Sequence, residues 1–599
     1  MSAQQTISTD PAQLSKAYVD IAQRSQQMVS EFLKRHAVAN LGTADELGIG
    51  KAFLDLTAKM IADPFRLAEM QWKMWQDYMA LWQGSVMKMM GQNAEPVAEP
   101  DPADRRFKDE AWQQNFLFDY IKQSYLIAAR HLHGAVANVE GLDEQTTKKV
   151  NFFTRQFIDA LSPTNFVLTN PEVLRETVGT GGQNLVKGLK NLLEDMERGD
   201  HKQLRIKMTD LDAFKLGENV ATTKGKVVYQ NELMQLLQYQ PTTEKVYQRP
   251  LLIIPPWINK FYILDLRENN SFIKWAVDQG HTVFVISWVN PDAKLAHKNF
   301  EDYLLEGTMA ALDAIEKTTG EKEINAIGYC LGGTLLAATL GYMVAKKENR
   351  IASATFFATL IDFSEPGELG VFVDEQQVSA LEKKMEERGY LEGSEMATTF
   401  NMLRSNDLIW SFVVNNYLLG KDPFPFDLLF WNSDSTRMPA KMHGYYLRNM
   451  YIRNLLKEPG GLTLAGEPID LSKVKTPAYF LSTVEDHIAP WKTTYAGTNL
   501  FAGPVKFVLG GSGHIAGVIN PPVANKYGYR TNAKLATDVD SWLKSAKQNE
   551  GSWWPDWDKW VEKFGGEKVA PRIPGKGKLK VLEDAPGSYV KFRLDANKT

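Results

Sequence analysis

A single cysteine, Cys330, stands in the 599 residues. One thiol closes no intramolecular disulfide and assembles no thiolate-rich metal site, so a disulfide scaffold and a zinc finger are both excluded, and no metal site is expected. Nor is there an uninterrupted apolar run long enough to span a bilayer, so no transmembrane segment is expected. The opening Met1-Ser2-Ala3-Gln4-Gln5-Thr6 has neither the basic nor the apolar region of a signal peptide, and the expected location is the cytoplasm. A formal net charge of −4 provides no basic field, so no nucleic-acid partner is expected. Internal repeats and long low-complexity tracts are missing as well. What remains is a globular chain, long enough for more than one domain, with 44% hydrophobic residues to fill its cores.

An isolated free cysteine is most often a small buried hydrophobe. The surroundings of Cys330 argue otherwise. It sits in Gly328-Tyr329-Cys330-Leu331-Gly332-Gly333, after the strand-like run Glu323-Ile324-Asn325-Ala326-Ile327 and before a helical pattern from Gly332 to Lys347. A nucleophile flanked by small residues at a strand-to-helix junction is a nucleophile elbow. Glycines permit a strained turn that exposes one side chain, while the next backbone N–H, that of Leu331, and the helix N-terminus face a developing oxyanion.

Residues 11 to 90 carry helical periodicity that ends in a dense Met and Trp segment, including Met70, Trp72, Met74, Trp75, Tyr78, Met79, Leu81, Trp82, Met87, Met89 and Met90. Such a stripe is either core for its own neighbours or an adhesive surface for a partner or a hydrophobic particle. A proline-bearing flexible linker follows at about 93–106, and helical patterns resume from about Asp109 to Arg198. From about Gly217 the texture changes to short strands alternating with helices: Val227 to Tyr229, Leu251 to Ile254, Thr282 to Ile286, Glu323 to Ile327, Ser353 to Phe357, Ala478 to Thr483 and Val505 to Leu509. That alternation predicts an α/β class with a mostly parallel sheet, and the elbow narrows it to the α/β-hydrolase fold. The expected organisation is a mainly helical N-terminal domain over 1–216 and a catalytic domain over 217–599, with a cap subdomain inserted at about 362–473. The Trp553, Trp554, Trp557 and Trp560 cluster reads as packing for the C-terminal region.

In this fold the acid follows a late strand and the histidine follows the last. The strand ending at Thr483 runs into Val484-Glu485-Asp486-His487, and the strand ending at Leu509 runs into Gly510-Gly511-Ser512-Gly513-His514. Asp486 is assigned as the acid and His514 as the base; Glu485 and His487 are the local competitors, and His487 also qualifies as a second polar group near the site. The second oxyanion donor comes from the loop after an early strand, here Pro255-Pro256-Trp257-Ile258-Asn259-Lys260, where the N–H of Ile258 is the candidate beside that of Leu331. Sulfur as nucleophile suits acyl transfer, because acylating a thiolate from a thioester preserves the activation of the acyl group for attack by an alcohol.

The elbow, the 255–260 loop, Glu485-Asp486-His487, the run Gly511-Ser512-Gly513-His514-Ile515-Ala516-Gly517-Val518-Ile519-Asn520-Pro521-Pro522 and Gly551-Ser552-Trp553-Trp554-Pro555 together resemble class I polyhydroxyalkanoate synthases, from about residue 105 to the C-terminus. The resemblance implies polymerisation of (R)-3-hydroxyacyl-CoA, short-chain substrates such as 3-hydroxybutyryl-CoA being favoured, with release of coenzyme A and the growing polyester held on Cys330 as a thioester. It implies no cofactor, since acyl-CoA is the substrate. It also implies a homodimer at the polyhydroxyalkanoate granule surface, in contact with granule-associated proteins, and a cap that opens and closes. Whether Asp486 orients His514 or itself activates the 3-hydroxyl stays open. Two other readings compete: a cysteine-elbow α/β-hydrolase acting on esters, lactones or thioesters, similar to dienelactone hydrolases, and a granule coat or scaffold whose working part is the Met and Trp helix. The long helical region and cap are unexplained by the first, and the full nucleophile, acid and base set argues against the second.

Overall fold

Runs of consecutive apolar residues with no polar alternation mark strands covered on both faces. In the computed structural model, which describes residues 48–593 apart from 138, 200–203 and 537, such runs form the centre of an eleven-stranded sheet. The helical pattern over residues 11–47 lies outside the described residues.

In chain order the strands are β1 Gly225–Gln230, β2 Met234–Tyr239, β3 Leu251–Ile254, β4 Val283–Trp288, β5 Ile324–Tyr329, β6 Ile351–Phe357, β7 Ala478–Thr483, β8 Val505–Gly510, β9 Tyr529–Thr531, β10 Lys547–Asn549 and β11 Glu583–Asp584. Their order across the sheet is β10-β9-β8-β7-β6-β5-β3-β4-β2-β1-β11. The neighbours from β4 through β3, β5, β6 and β7 to β8 pair in parallel, and antiparallel pairs flank them on both sides. Every residue of β3, β4, β5 and β7 is buried, which is why these segments are the plainest apolar runs in the chain. Parallel pairing brings the C-terminal ends of β5, β7 and β8 to one edge of the sheet. Cys330 follows β5, Asp486 follows β7 and His514 follows β8, so topology alone gathers three chemically distinct residues at that edge.

Two compact units make up the chain: residues through Asp210 with Phe400–Phe424, and Leu211–Thr399 with Pro425–Thr599, which contains the sheet. The first unit is helical, with α1 Ile49–Ala62, α2 Pro64–Met89, α3 Phe116–Val136, α4 Glu144–Ala160, α5 Pro171–Gly179 and α6 Gln183–Arg198. Polar residues start α2, α3, α4 and α5. Asn115 accepts from the N–H groups of Leu117 and Phe118, Asp143 from that of Thr146, and Asn170 from those of Glu172 and Val173. The stretch 93–106 lies against α3, with Ala98 buried and the Val97 N–H donating to Gln123 Oε1 at 2.7 Å. Along α2 the stripe divides: Leu81 is buried and Tyr78 and Met70 half-buried, whereas Trp72, Trp75, Trp82, Met74, Met87 and Met89 stand exposed, Trp72 stacked on Trp75 at 5.1 Å. Burial against its own unit therefore accounts for only one side of the helix.

Residues 400–424 come from the stretch between β6 and β7 but pack on α6. The Asn184 amide donates to Leu418 O at 2.7 Å, the Asn191 amide to Asn416 O at 3.1 Å, and the Tyr417 hydroxyl to Asp195 Oδ2 at 2.7 Å. At Gly188 the two backbones approach so closely that a Cβ would overlap the Tyr417 carbonyl oxygen. Gly188→Ala is expected to push the 413–418 turn off α6 and to destabilise this unit by about 1–3 kcal/mol, the usual penalty of overpacking. Limited proteolysis should then cut within 400–424 faster than in the parent, and an unchanged cleavage pattern and melting point would contradict the packing.

Candidate active site

The turn after β5 is built by close approach. Cys330 is the N-cap of α7 Leu331–Ala345 and has φ 52° and ψ −119°, a conformation that costs a residue with a side chain on the order of 1–3 kcal/mol. Two backbone contacts hold it: Cys330 N–H donates to Phe357 O at 2.9 Å, and Cys330 O accepts from Gly333 N–H at 2.9 Å. A Cβ at Gly328 would overlap Gly333 Cα, and one at Gly332 would overlap Ile254 O at the end of β3. Glycine is thus required on both sides of the sulfur by space. The helix behind the turn is buried continuously from Gly332 to Met343, so its N-terminus is held firmly by the core.

Cys330 is half-buried, whereas the other two members of the set are enclosed. His514 Nδ1 lies 2.7 Å from Asp486 Oδ2, with 9% of the imidazole and none of the carboxylate side chain exposed. The carboxylate can only accept, so Nδ1 carries the proton and Nε2 is left to face the thiol. Cys330 is the other group whose charge acts on the ring. The second oxygen of Asp486, Oδ1, accepts from Ile488 N–H at 2.9 Å and Ala489 N–H at 2.8 Å. Both oxygens are committed. Burial works against a charged imidazole, but the Asp486 carboxylate and then the charge on Cys330 outweigh it and raise His514 from 6.5 to about 10.

The histidine loop is braced from two directions. Tyr329, beside the cysteine in sequence, donates its hydroxyl to His514 O at 3.1 Å; its burial, and then the charges of Cys330 and Asp486, hold the phenol well above its ordinary value, so it remains a donor. From the far end of the chain, Trp553 Nε1 donates to Gly517 O at 2.9 Å and Trp554 Nε1 to Val518 O at 3.0 Å. The tryptophan cluster packs the C-terminal region as expected, with Trp553, Trp554 and Trp557 almost wholly buried, and in doing so it holds the loop that carries His514.

The remaining sequence candidates lie near this line without joining it. His487 is half-buried directly after Asp486, and Glu485 is exposed; it is His514 that takes the Asp486 carboxylate. Leu331 is the first residue of α7, where an N–H has no intrahelical acceptor. Ile258 is half-buried in the loop that follows β3, and β3 is the strand paired with β5 through Ile254 and Gly328. Sequence reasoning missed two tyrosines. Tyr446 precedes and Tyr451 lies within a turn of π-helix at Leu447–Ile452, their rings 5.9 Å apart and packed on Phe363. Burial raises both phenols, and the charge of Cys330 reaches both. Nothing in the local pattern Tyr445-Tyr446-Leu447-Arg448 signals that neighbourhood, because the contact is set by the insertion's path. Among the described residues no group of three or more His, Cys, Asp or Glu side chains is placed to hold a metal ion, and no helix is long and apolar enough to cross a membrane.

Comparison with known proteins identifies the family and the fold. Residues 103–276 match the family model described as the poly-beta-hydroxybutyrate polymerase (PhaC) N-terminus, and residues 250–521 match that of the alpha/beta hydrolase fold. The sheet order and the elbow are those of that fold. The chain is 50% identical to a poly(3-hydroxyalkanoate) polymerase of Methylorubrum extorquens over 93% of this chain and 92% of the relative. It is 52% identical to the poly(3-hydroxyalkanoate) polymerase subunit PhaC of Rhizobium meliloti (strain 1021), over 89% and 87%. Against the corresponding subunit of Cupriavidus necator it is 43% identical, over 90% and 91%.

A folded-state value raised from 6.5 to about 10 means that His514 contributes stability in full below pH 6.5 and loses it as pH climbs through 10. Asp486→Asn removes the strongest raising charge. The gap in melting temperature between parent and variant should therefore be widest near pH 6 and narrow towards pH 10, as read by thermal melts across that range. A gap independent of pH would show that the carboxylate does not hold the imidazolium.

Proposed function

The chain belongs to the poly(3-hydroxyalkanoate) polymerase family, and from that premise we propose that it polymerises (R)-3-hydroxyacyl-CoA into polyester through an acyl thioester on Cys330. The observation that carries this reading is the line from Asp486 through His514 to Cys330 at the edge of the sheet. His514 Nε2 takes the thiol proton and the sulfur attacks the acyl-CoA carbonyl. The oxyanion of the tetrahedral intermediate is received by the N–H groups of Leu331 and Ile258 and by the positive end of α7. The C–S bond to coenzyme A breaks, and the coenzyme A thiolate leaves with the proton from His514. One thioester has replaced another of similar energy, so the acyl group remains activated.

In the second half of the cycle the 3-hydroxyl of an incoming unit or chain gives its proton to His514 and attacks the acyl-cysteine. An ester forms, the bond to sulfur breaks, and Cys330 is returned as the thiolate. The commitment of both Asp486 oxygens, and the enclosure of its side chain, support an orienting role towards His514 rather than contact with the hydroxyl. The reach of the Cys330 charge to Tyr446 and Tyr451, whose rings pack on Phe363, supports small acyl groups such as 3-hydroxybutyryl. No cofactor takes part in either half, since the activation arrives with the coenzyme A thioester. The insertion between β6 and β7 acts as the cap that keeps water from the acyl-cysteine.

Purified protein incubated with 3-hydroxybutyryl-CoA is expected to yield polymer and free coenzyme A, and Cys330→Ser to lose at least about 1,000-fold in rate, as for removal of an activated nucleophile. Free 3-hydroxybutyrate without polymer would favour a hydrolase, and polymer from Cys330→Ser in a host without another synthase would end the assignment.

The exposed Trp72, Trp75 and Trp82 face of α2 supports association with the polyester granule, its associated proteins or a second copy of the chain in a homodimer. Changing these three residues to Ser should release the protein from granules or shift it from dimer to monomer, with turnover of soluble substrate retained. Unaltered granule association and dimer fraction would remove that role from the helix.

A further inference from the structure

The loop 255–260 has no regular structure of its own, yet four of its carbonyls are gripped by residues outside it. Pro255 O accepts from Trp288 Nε1 at 2.8 Å, and Trp257 O from the Thr436 hydroxyl at 2.6 Å. Ile258 O accepts from Thr436 N–H at 3.4 Å, and Lys260 O from Trp431 Nε1 at 2.7 Å. Three of these donors come from the short segment 431–436 of the insertion. The fourth is on β4.

The side chain of Lys260 reaches in another direction. Its ammonium, with 3% of the side chain exposed, pairs with Asp434 at 2.7 Å and donates to Val590 O at 2.8 Å and Phe592 O at 2.7 Å. Asp434 in turn accepts from the Tyr262 hydroxyl at 3.0 Å, and the Arg593 guanidinium lies over the Phe430 ring at 4.4 Å. An ammonium has three protons, and here each has an acceptor. A buried cation tolerates no less, since an unmatched proton in the interior carries its full desolvation penalty. The consequence is geometric. Two carbonyls at the end of the described chain and one carboxylate of the insertion are brought to a single nitrogen, and that nitrogen is anchored two residues after Ile258.

We propose that Lys260 is a positioning residue, through which the C-terminal segment 590–593 and the inserted segment 431–436 jointly hold the Ile258 peptide where an oxyanion forms. The proposal rests on the reading of Ile258 N–H as an oxyanion donor. Donors of that kind work by being fixed before the charge develops, so a loop without secondary structure needs external bracing to serve. The braces belong to parts of the chain that do not carry the nucleophile, acid or base. Their loss should leave the thiol and imidazole as they are and weaken only the stabilisation of the tetrahedral intermediate.

Two variants test this: deletion of residues 590–599, which leaves the Lys260 and Asp434 pair in place, and the double change Lys260→Met with Asp434→Leu in the full chain, which removes both buried charges together. Coenzyme A release from 3-hydroxybutyryl-CoA and alkylation of Cys330 by iodoacetamide are measured for each. In both variants kcat is expected to fall about 10- to 100-fold, less than loss of a donor outright, with KM within about threefold and the alkylation rate within about twofold of the parent. Retention of kcat within about twofold in either variant would overturn the proposal. So would a parallel fall in alkylation and kcat in both, since that pattern marks general loss of the site. Failure of the underlying reading is a separate result, registered by a Cys330→Ser chain that still makes polymer.

Discussion

One backbone torsion governs the architecture around the site. A side chain held at φ 52° is displayed outward from the junction of β5 and α7, and it stays there only because the surrounding backbones leave no alternative. The strain is small beside the burial that opposes its release. Strand β5 is enclosed on both faces, the helix behind it is buried for most of its length, and the end of β3 approaches Gly332 too closely for any larger residue. The sheet register that pairs Ile254 with Gly328 is therefore also the register that presents the sulfur.

Charge is arranged on top of that frame with little room for adjustment. Asp486 is wholly enclosed and spends one oxygen on two backbone N–H groups, so the other has a fixed direction, and the imidazole must lie along it. The loop bearing His514 is then tied at its carbonyls to Tyr329 on one side and to Trp553 and Trp554 on the other. Long, rigid indole donors from the C-terminal region act here much as Lys260 acts on the 255–260 loop. Residues 551–593 include none of Cys330, Asp486 and His514, but they hold the loop of His514 and the 255–260 loop.

Much of this was legible in the sequence, and the reasons for the exceptions are physical. The parallel strands at the centre announce themselves because burial on both faces forces continuous apolar runs, and the meeting of Cys330, Asp486 and His514 at one edge could be read from the strand each one follows. Strand β2, Met234–Tyr239, was not picked out, since Gln235 and Gln238 interrupt its apolar pattern; both are buried, Gln235 against Glu583 and Ser588 and Gln238 against Arg572 O. The edge strands β9, β10 and β11 are short and polar and leave almost no trace. The stripe on α2 was ambiguous between core and surface, because composition alone does not say which side of a helix has a partner. Tyr446, Tyr451 and Lys260 could not be placed by any local rule. Their significance comes from contacts made across hundreds of residues of chain.

The packing of residues 400–424 on α6 carries a consequence for biogenesis. A ribosome emits the N-terminal helices long before it reaches Tyr417, whose backbone covers Gly188 and whose hydroxyl engages Asp195. Through that interval the nascent helical unit has an unfilled groove, and it can be completed only after the elbow and more than half of the sheet have emerged. Synthesis order and structural order are thus out of step. A chaperone occupying that groove during translation would shield the unit until its missing piece arrives.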